Sequence, residues 1–294
     1  MNILITGASG MLGANLVSKM QNKFNVFATG LSKDPGYRTN QYKQFNLSEQ
    51  TYKVLSQWST PDIIIHCAAI TDVDYCEDNI DKAVSINGES AKKILDSFSN
   101  VKVIYLSTDA VFNNKKMVSE KDTPNPVNIY GKSKLIGENY ITKNIKKHCI
   151  IRTTPVGINL NPSKQKFVEW IVNSLKNNKK IDLFKDVIFS PISVLRLVDE
   201  IEWIVENNIS GLWHIAGNTQ LNKYDFGIKL CEELNLNKEL IQSSILESKN
   251  LKANRSKNQT MNCNKYQDYS GRVLPNISEI IRSLKFQLKD LNYV

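Results

Sequence analysis

The sequence lacks any cysteine pair spaced for chemistry. Its five cysteines, Cys67, Cys76, Cys149, Cys231 and Cys263, contain no C-x-x-C and are odd in number. That argues against a zinc ribbon and a full disulfide framework, and it reads as a reduced, cytoplasmic set. Cys67 follows His66, but both lie inside the apolar run DIIIHCAAI, so no metal site is expected. No charged segment precedes the first apolar run, MNILITG, and no cleavage pattern follows it, so no signal peptide is expected. No stretch approaches the roughly 18 apolar residues of a membrane span, so no membrane partner is expected. Repeats, proline-rich linkers and low-complexity tracts are missing too. Basic residues outnumber acidic ones, 38 to 29, for a net charge of +9. They are scattered, with short runs such as NIKKH and KNNKK, so no nucleic-acid partner is expected. A diffuse positive field instead favours approach of an anionic small molecule, such as a nucleotide.

What is present is an alternation of apolar runs and helical patterns. NILIT (2–6), FNVFAT (24–29), DIIIHCA (62–68), VKVIYLS (101–107) and CIIRTT (149–154) read as buried strands. MLGANLVSKM (11–20) and the long segment 79–98 between them read as helices. Near-continuous apolar strands separated by helices imply an α/β fold, a doubly wound parallel sheet of Rossmann type covered on both faces. The second half is less regular, with helical patterns at 167–176, 194–207, 222–234 and 276–288 and a strand at 211–217. Residues 245–270 are polar and without period. We therefore expect a dinucleotide-binding unit over 1–157. A smaller, interleaved substrate-binding region should follow over 158–294, with about 187–217 returning to the sheet.

TGASGMLG joins the first strand to the first helix and spaces Gly7, Gly10 and Gly13 as G-x-x-G-x-x-G. Glycine permits the tight turn and lets backbone approach a pyrophosphate. The helix start, with Met11 and Leu12, offers free N–H groups and partial positive charge. At the adenosine end, an acidic residue at the tip of the second strand would hold a ribose 2′-hydroxyl. The strand ends FATGLSK, with Ser32 and Lys33 and no carboxylate. A hydroxyl and an ammonium suit a 2′-phosphate, which favours NADP(H) and leaves NAD(H) open.

YLSTDAVF puts Ser107, Thr108 and Asp109 at the carboxyl end of a strand, the edge where parallel sheets bind ligands. PNPVNIYGKSKLIGE then places Tyr130 and Lys134 one helical turn apart on one face. A phenol of pKa near 10 is a poor acid–base group at neutral pH, and a nearby ammonium stabilises its phenolate. With Thr108 orienting the oxygen, such a group protonates the alkoxide formed when hydride reaches a ketone.

These segments resemble the dTDP-4-dehydrorhamnose reductase family of the extended short-chain dehydrogenase/reductases. The resemblance runs through HCAAITDVDYCE (Ala68, Ala69, Thr71, Val73, Asp74, Glu77), STDAVF, SEKDTPNPVNIYGKSKLIGE and RTTPVG in order. It covers the first 157 residues well and the rest weakly. It implies catalysis by Thr108, Tyr130 and Lys134, with Lys134 also on the nicotinamide ribose. It implies further cofactor contacts at Asn46, Leu47, Ala68, Ala69, Ile70 and Ser107, and a homodimer. Asn87, in VSINGES, matches a recurrent helix asparagine, for which a helix-to-strand link is the alternative role.

The departures gather in the sugar site. Ala110 stands for a tyrosine and Pro155 for a tryptophan; DVIFSPIS replaces a Gly-x-Pro-Thr pattern; Ser256 replaces a proline in ANRSKNQTMN. Substrate contacts are expected from Thr108, Asp109, Ala110, Val111, Pro155 and Arg255, with Arg152 and Phe189 as further candidates. The implied activity is reduction of a nucleotide-linked keto-deoxysugar. The alternatives are an epimerase with retained NAD(P) and a non-catalytic dinucleotide-binding regulatory subunit. Dehydratases carry Asp-Glu after the threonine, where this chain has Asp109-Ala110.

Overall fold

The apolar runs become strands of one sheet. In the computed structural model, which describes residues 1–48, 51–145 and 147–293, these are β1 (Asn2–Thr6), β2 (Asn25–Gly30), β3 (Tyr42–Gln44), β4 (Ile63–His66), β5 (Lys102–Thr108), β6 (His148–Thr153) and β7 (Gly211–His214). Lys146 of the NIKKH run lies outside the described residues. Their order is β7-β6-β5-β4-β1-β2-β3, and every neighbouring pair is parallel. Successive side chains point to opposite faces, yet both faces are buried. Ile3, Ile5, Ile63, Ile65 and Ile104 enter one core. Leu4, Ile64, Val103, Tyr105 and Ile150 enter the other. That is why the strands read as continuous apolar runs instead of alternating ones.

Six principal helices cover the sheet and extend beyond it: α1 (Met11–Met20), α2 (Ile129–Asn144), α3 (Phe167–Lys176), α4 (Val194–Glu206), α5 (Lys223–Glu233) and α6 (Ile277–Asp290). α4 packs on α1 and leads the chain back into β7. α3, α5 and α6 enclose a third core beside the parallel pair Ile181–Phe184 and Ile241–Ser244. Sheet order reverses at β1 and β4, so a crevice opens at their carboxyl ends.

One local feature differs from the sequence expectation, and another fills in a segment the sequence left open. The helix over 79–98 is interrupted: Ile80–Val84 and Ser90–Ser97 are α-helical, and Ser85–Glu89 forms a π-turn. The widened turn aims Asn87 sideways. Its Oδ1 accepts from Ile70 N at 2.7 Å, and its Nδ2 donates to Ile70 O and Ser133 Oγ, both at 3.0 Å. The aperiodic segment 245–270 is an ordered strap: Asn128 Nδ2 donates to Asn254 O at 2.8 Å, and Asn258–Gln259 pairs with Ile188–Phe189. Ser256, in the place of the family's proline, is buried and donates to Phe112 O at 3.1 Å. Among the described residues no helix is long and apolar enough to cross a membrane.

Candidate active site

The phosphate loop is shaped by two tight contacts. Gly7 has φ +71°, and a Cβ there would lie 2.6 Å from Ala68 N. A Cβ on Gly13 would lie 2.3 Å from Gly7 O, so only glycine lets α1 sit on the loop. Gly10 caps α1, and the amides of Met11, Leu12 and Gly13 are the helix's free donors. A crevice of about 240 Å³ runs along this edge. Gly7 and Gly10 line one side, Ala68, Ala69 and Ile70 the other, with Asn46 and Leu47 beyond β3. Its lining has no carboxylate among the described residues. A side-chain-free loop, free amides and no opposing anion fit the phosphates of a dinucleotide.

The adenosine end departs from expectation. Ser32 and Lys33 do not line the crevice, which ends at Leu31, the residue after β2. The Ser32 carbonyl accepts from the Tyr42 hydroxyl at 2.6 Å, and Lys33 is exposed. The cations that do line it are Lys164 and Lys166, from the loop before α3, which nothing local in the sequence had marked.

Thr108 ends β5, where its hydroxyl accepts from Ala110 N at 3.1 Å and donates to Asp109 Oδ1 at 2.9 Å. Tyr130 opens α2, whose start is capped by Asn128 accepting from Gly131 N at 2.8 Å. The Glu77 carboxylate holds Ile129 N at 2.9 Å. A Cβ on Gly131 would lie 2.2 Å from Ala110 O. The helix start therefore docks directly on the turn after Thr108, and Tyr130 and Thr108 line one cavity. Burial pushes the Tyr130 phenol above its usual range, and the Thr108 contact opposes that.

One turn on, Lys134 is 2% exposed, with Nζ 3.9 Å from the Tyr105 ring centroid. Burial lowers its pKa to about 7, against the opposing charge of Glu138. Another turn on, Glu138 accepts from Arg152 Nε at 3.0 Å and Nη2 at 2.6 Å, and also from Ser107. This corrects two expectations. Arg152 is committed to Glu138 and is no substrate contact, and the Ser107 hydroxyl faces Glu138 and not the crevice.

His66 lies between Thr6 Oγ1 at 2.7 Å and Ser90 Oγ at 2.9 Å. Burial lowers its pKa to about 3, so it is a neutral link between strand and helix. No cluster among the described residues has the three acidic, histidine or cysteine groups a metal would need.

A second cavity, of about 450 Å³, adjoins the first at Thr71. Thr108, Asp109, Ala110 and Tyr130 form its floor. Val111, expected to face the substrate, is fully buried in the core instead. Pro155 pairs with Ile192 and does not reach the cavity; Thr154 does. Phe189 is fully buried behind the Lys223 ammonium, which sits 3.2 Å from its ring centroid. Arg255 does face the cavity: Nη2 binds Asp74 at 2.9 Å, while Nη1 is buried with no partner. The aromatic surface missing at 110 and 155 is supplied from elsewhere, by Phe167 and Trp170 of α3 and by Phe184. Lys223, Asp182, Gln259 and these aromatics were not identified in the sequence.

Comparison with known proteins agrees with this geometry. The chain is 26% identical over 298 residues to the probable low-salt glycan biosynthesis reductase Agl14 of Haloferax volcanii, covering 99% of each. It is 30% identical over 240 residues to the spore coat polysaccharide biosynthesis protein SpsK of Bacillus subtilis, covering 80% of each. It superimposes on the crystal structure of dTDP-4-dehydrorhamnose reductase from Bacillus anthracis in complex with NADP, with a TM-score of 0.85 and 25% identity. That match covers 97% of this chain and 98% of the other. Residues 1–288 match the family model described as the RmlD substrate binding domain, and the chain belongs to that family.

Proposed function

We propose that the protein is an NADPH-dependent reductase of a nucleotide-linked keto-deoxysugar, with Tyr130 as proton donor. The observation that carries this is that Tyr130 and Thr108 together line a cavity that adjoins the phosphate crevice. Gly7, Gly10 and the amides opening α1 would hold the pyrophosphate. Ala68, Ala69 and Ile70 would flank the dinucleotide, and Lys134 would take the nicotinamide ribose. When bound, NADPH supplies the hydride. Thr108 holds the keto oxygen, and Tyr130 delivers its proton to that oxygen as negative charge develops there. Lys134 stabilises the phenolate left behind, because an ammonium in a buried site acts at low effective dielectric. Burial raises the Tyr130 phenol, and a positive charge close to it would lower it again.

The reading includes a division near residue 157, with recognition of the sugar falling mostly to the later residues. It also includes a cytoplasmic setting, consistent with the five free cysteines, and a homodimer. The test is NADPH oxidation by the purified protein with a panel of nucleotide 4-keto-6-deoxysugars. Turnover abolished by Tyr130→Phe supports the reading. NADPH binding without turnover of any panel member would replace it with the regulatory-subunit reading. Interconversion of sugars without net NADPH consumption would replace it with the epimerase reading.

A further inference from the structure

The loop 158–166 leaves the sheet after β6 and crosses back over the phosphate loop. It is braced by its own polar groups. Glu169 Oε1 holds Asn159 N at 2.6 Å, Asn159 Oδ1 holds Asn161 N at 3.0 Å, and Asn161 O accepts from Lys164 N at 3.1 Å. Asn159 and Asn161 are both buried. Asn161 also packs on the segment that follows β2. A Cβ on Gly36 (φ +82°) would lie 2.8 Å from Asn161 Cγ. The loop is thus docked against the segment that follows β2.

This bracing delivers one cation to one place. Lys164 Nζ lies 3.0 Å from Ser9 Oγ. Ser9 Oγ in turn is 2.8 Å from where a Cβ of Gly30, the last residue of β2, would stand. Lys166 lies alongside, with Nζ 3.3 Å from Thr71 Oγ1. Neither lysine pairs with a carboxylate among the described residues. Partial burial and the charge of Lys166 both lower the pKa of Lys164. Two neighbouring ammonium groups held without an anion destabilise each other until one arrives. In dinucleotide folds, the tip of β2 is where the ribose 2′ position is read, and a cation there accommodates a 2′-phosphate.

We propose that Lys164, and not Lys33, reads the 2′-phosphate of NADPH, with Ser9 as its hydrogen-bonding companion. The inference rests on the NADPH reading above. Lys164 comes from beyond the unit that holds the rest of the dinucleotide, so docking of the later loop completes the adenosine site. A charge-assisted contact of this kind is worth about tenfold to hundredfold in affinity.

The experiment is calorimetric titration of the full-length protein with 2′,5′-ADP and with 5′-ADP, for the wild type, Lys164→Met, Lys164→Arg and Lys33→Met. We expect Lys164→Met to weaken 2′,5′-ADP about tenfold to hundredfold and 5′-ADP less than about threefold. Lys164→Arg should restore most of the difference, and Lys33→Met should change neither. Equal weakening of both nucleotides by Lys164→Met would overturn the assignment in favour of a general phosphate or packing role. Loss of discrimination in Lys33→Met alone would return it to Lys33. A wild-type protein that prefers 2′,5′-ADP while Lys164→Met keeps that preference refutes the inference and leaves the NADPH reading intact. A wild type with no preference removes both.

Discussion

Around the catalytic helix most buried polar side chains bond within the protein, with the Lys134 ammonium set instead on the Tyr105 ring, whereas around the second cavity two cationic groups have no such partner. Ser107, Glu138 and Arg152 bond to one another, His66 has a partner on each ring nitrogen, and Asn87 uses its amide at both ends. Facing them, Lys223 has no hydrogen-bond acceptor among the described residues, and Arg255 Nη1 is buried alone. Burial lowers Lys223 to about 8, and the charge of Asp109 opposes that. Unpaired buried donors are expensive, so a protein keeps them where a ligand is to supply the acceptor. Lys134 apart, the reacting end is finished in advance, while the recognising end awaits the sugar.

The largest expected effect tests the finished end. Tyr130→Phe should lower kcat by about 10³-fold while leaving the urea unfolding midpoint within error. A loss below tenfold would remove Tyr130 as proton donor. Next, Glu138→Leu leaves the Arg152 guanidinium buried and uncompensated. It should cost about 3–5 kcal/mol in equilibrium unfolding. A cost under about 1 kcal/mol would mean that the network is not sealed and would blur the contrast.

Lys223→Met probes the other end. It should raise KM for the sugar nucleotide about tenfold or more, with KM for NADPH unchanged and stability equal or higher. If stability falls and KM stays put, Lys223 is a packing element and the second cavity is as self-sufficient as the first. Smallest is the signature of Lys134 in stability against pH. Its folded pKa of about 7 lies below the ordinary 10.5, so between those values the unfolded chain binds more protons. Stability then rises with pH across that window. Lys134→Met should flatten the rise and lift Tm at pH 7 by a few degrees, read by calorimetry at several pH values.

The sequence made the first half legible because its information is local. Runs such as DIIIHCA are apolar on both faces, and Thr108, Tyr130 and Lys134 stand within 27 residues, with motif and geometry in one stretch. The second cavity is assembled from α3, the strand Ile181–Phe184, the start of α5 and the strap near 255, each unremarkable alone. Periodicity reveals that Phe167 and Trp170 belong to a helix, but not what that helix faces. The same limit explains Lys33 and Lys164. The first was adjacent in sequence to the tip of β2; the second reaches it through a loop more than a hundred residues later. Arg152 and Val111 were misplaced for the converse reason. Proximity to a motif in sequence says nothing of which way a side chain turns at a strand end, where one faces Glu138 and the other the core.

The π-turn at Ser85–Glu89 constrains what this chain can become. Removing one residue there would restore an uninterrupted α-helix, a locally better one. It would also rotate every later side chain by about 100° relative to what precedes it. Asn87 would lose Ile70, which lines the crevice, and Tyr105 would lose the Asn87 carbonyl it donates to at 2.6 Å. Substitutions along this helix are therefore open to drift, but its length is not. A one-residue deletion should be rejected even though it improves the helix taken alone.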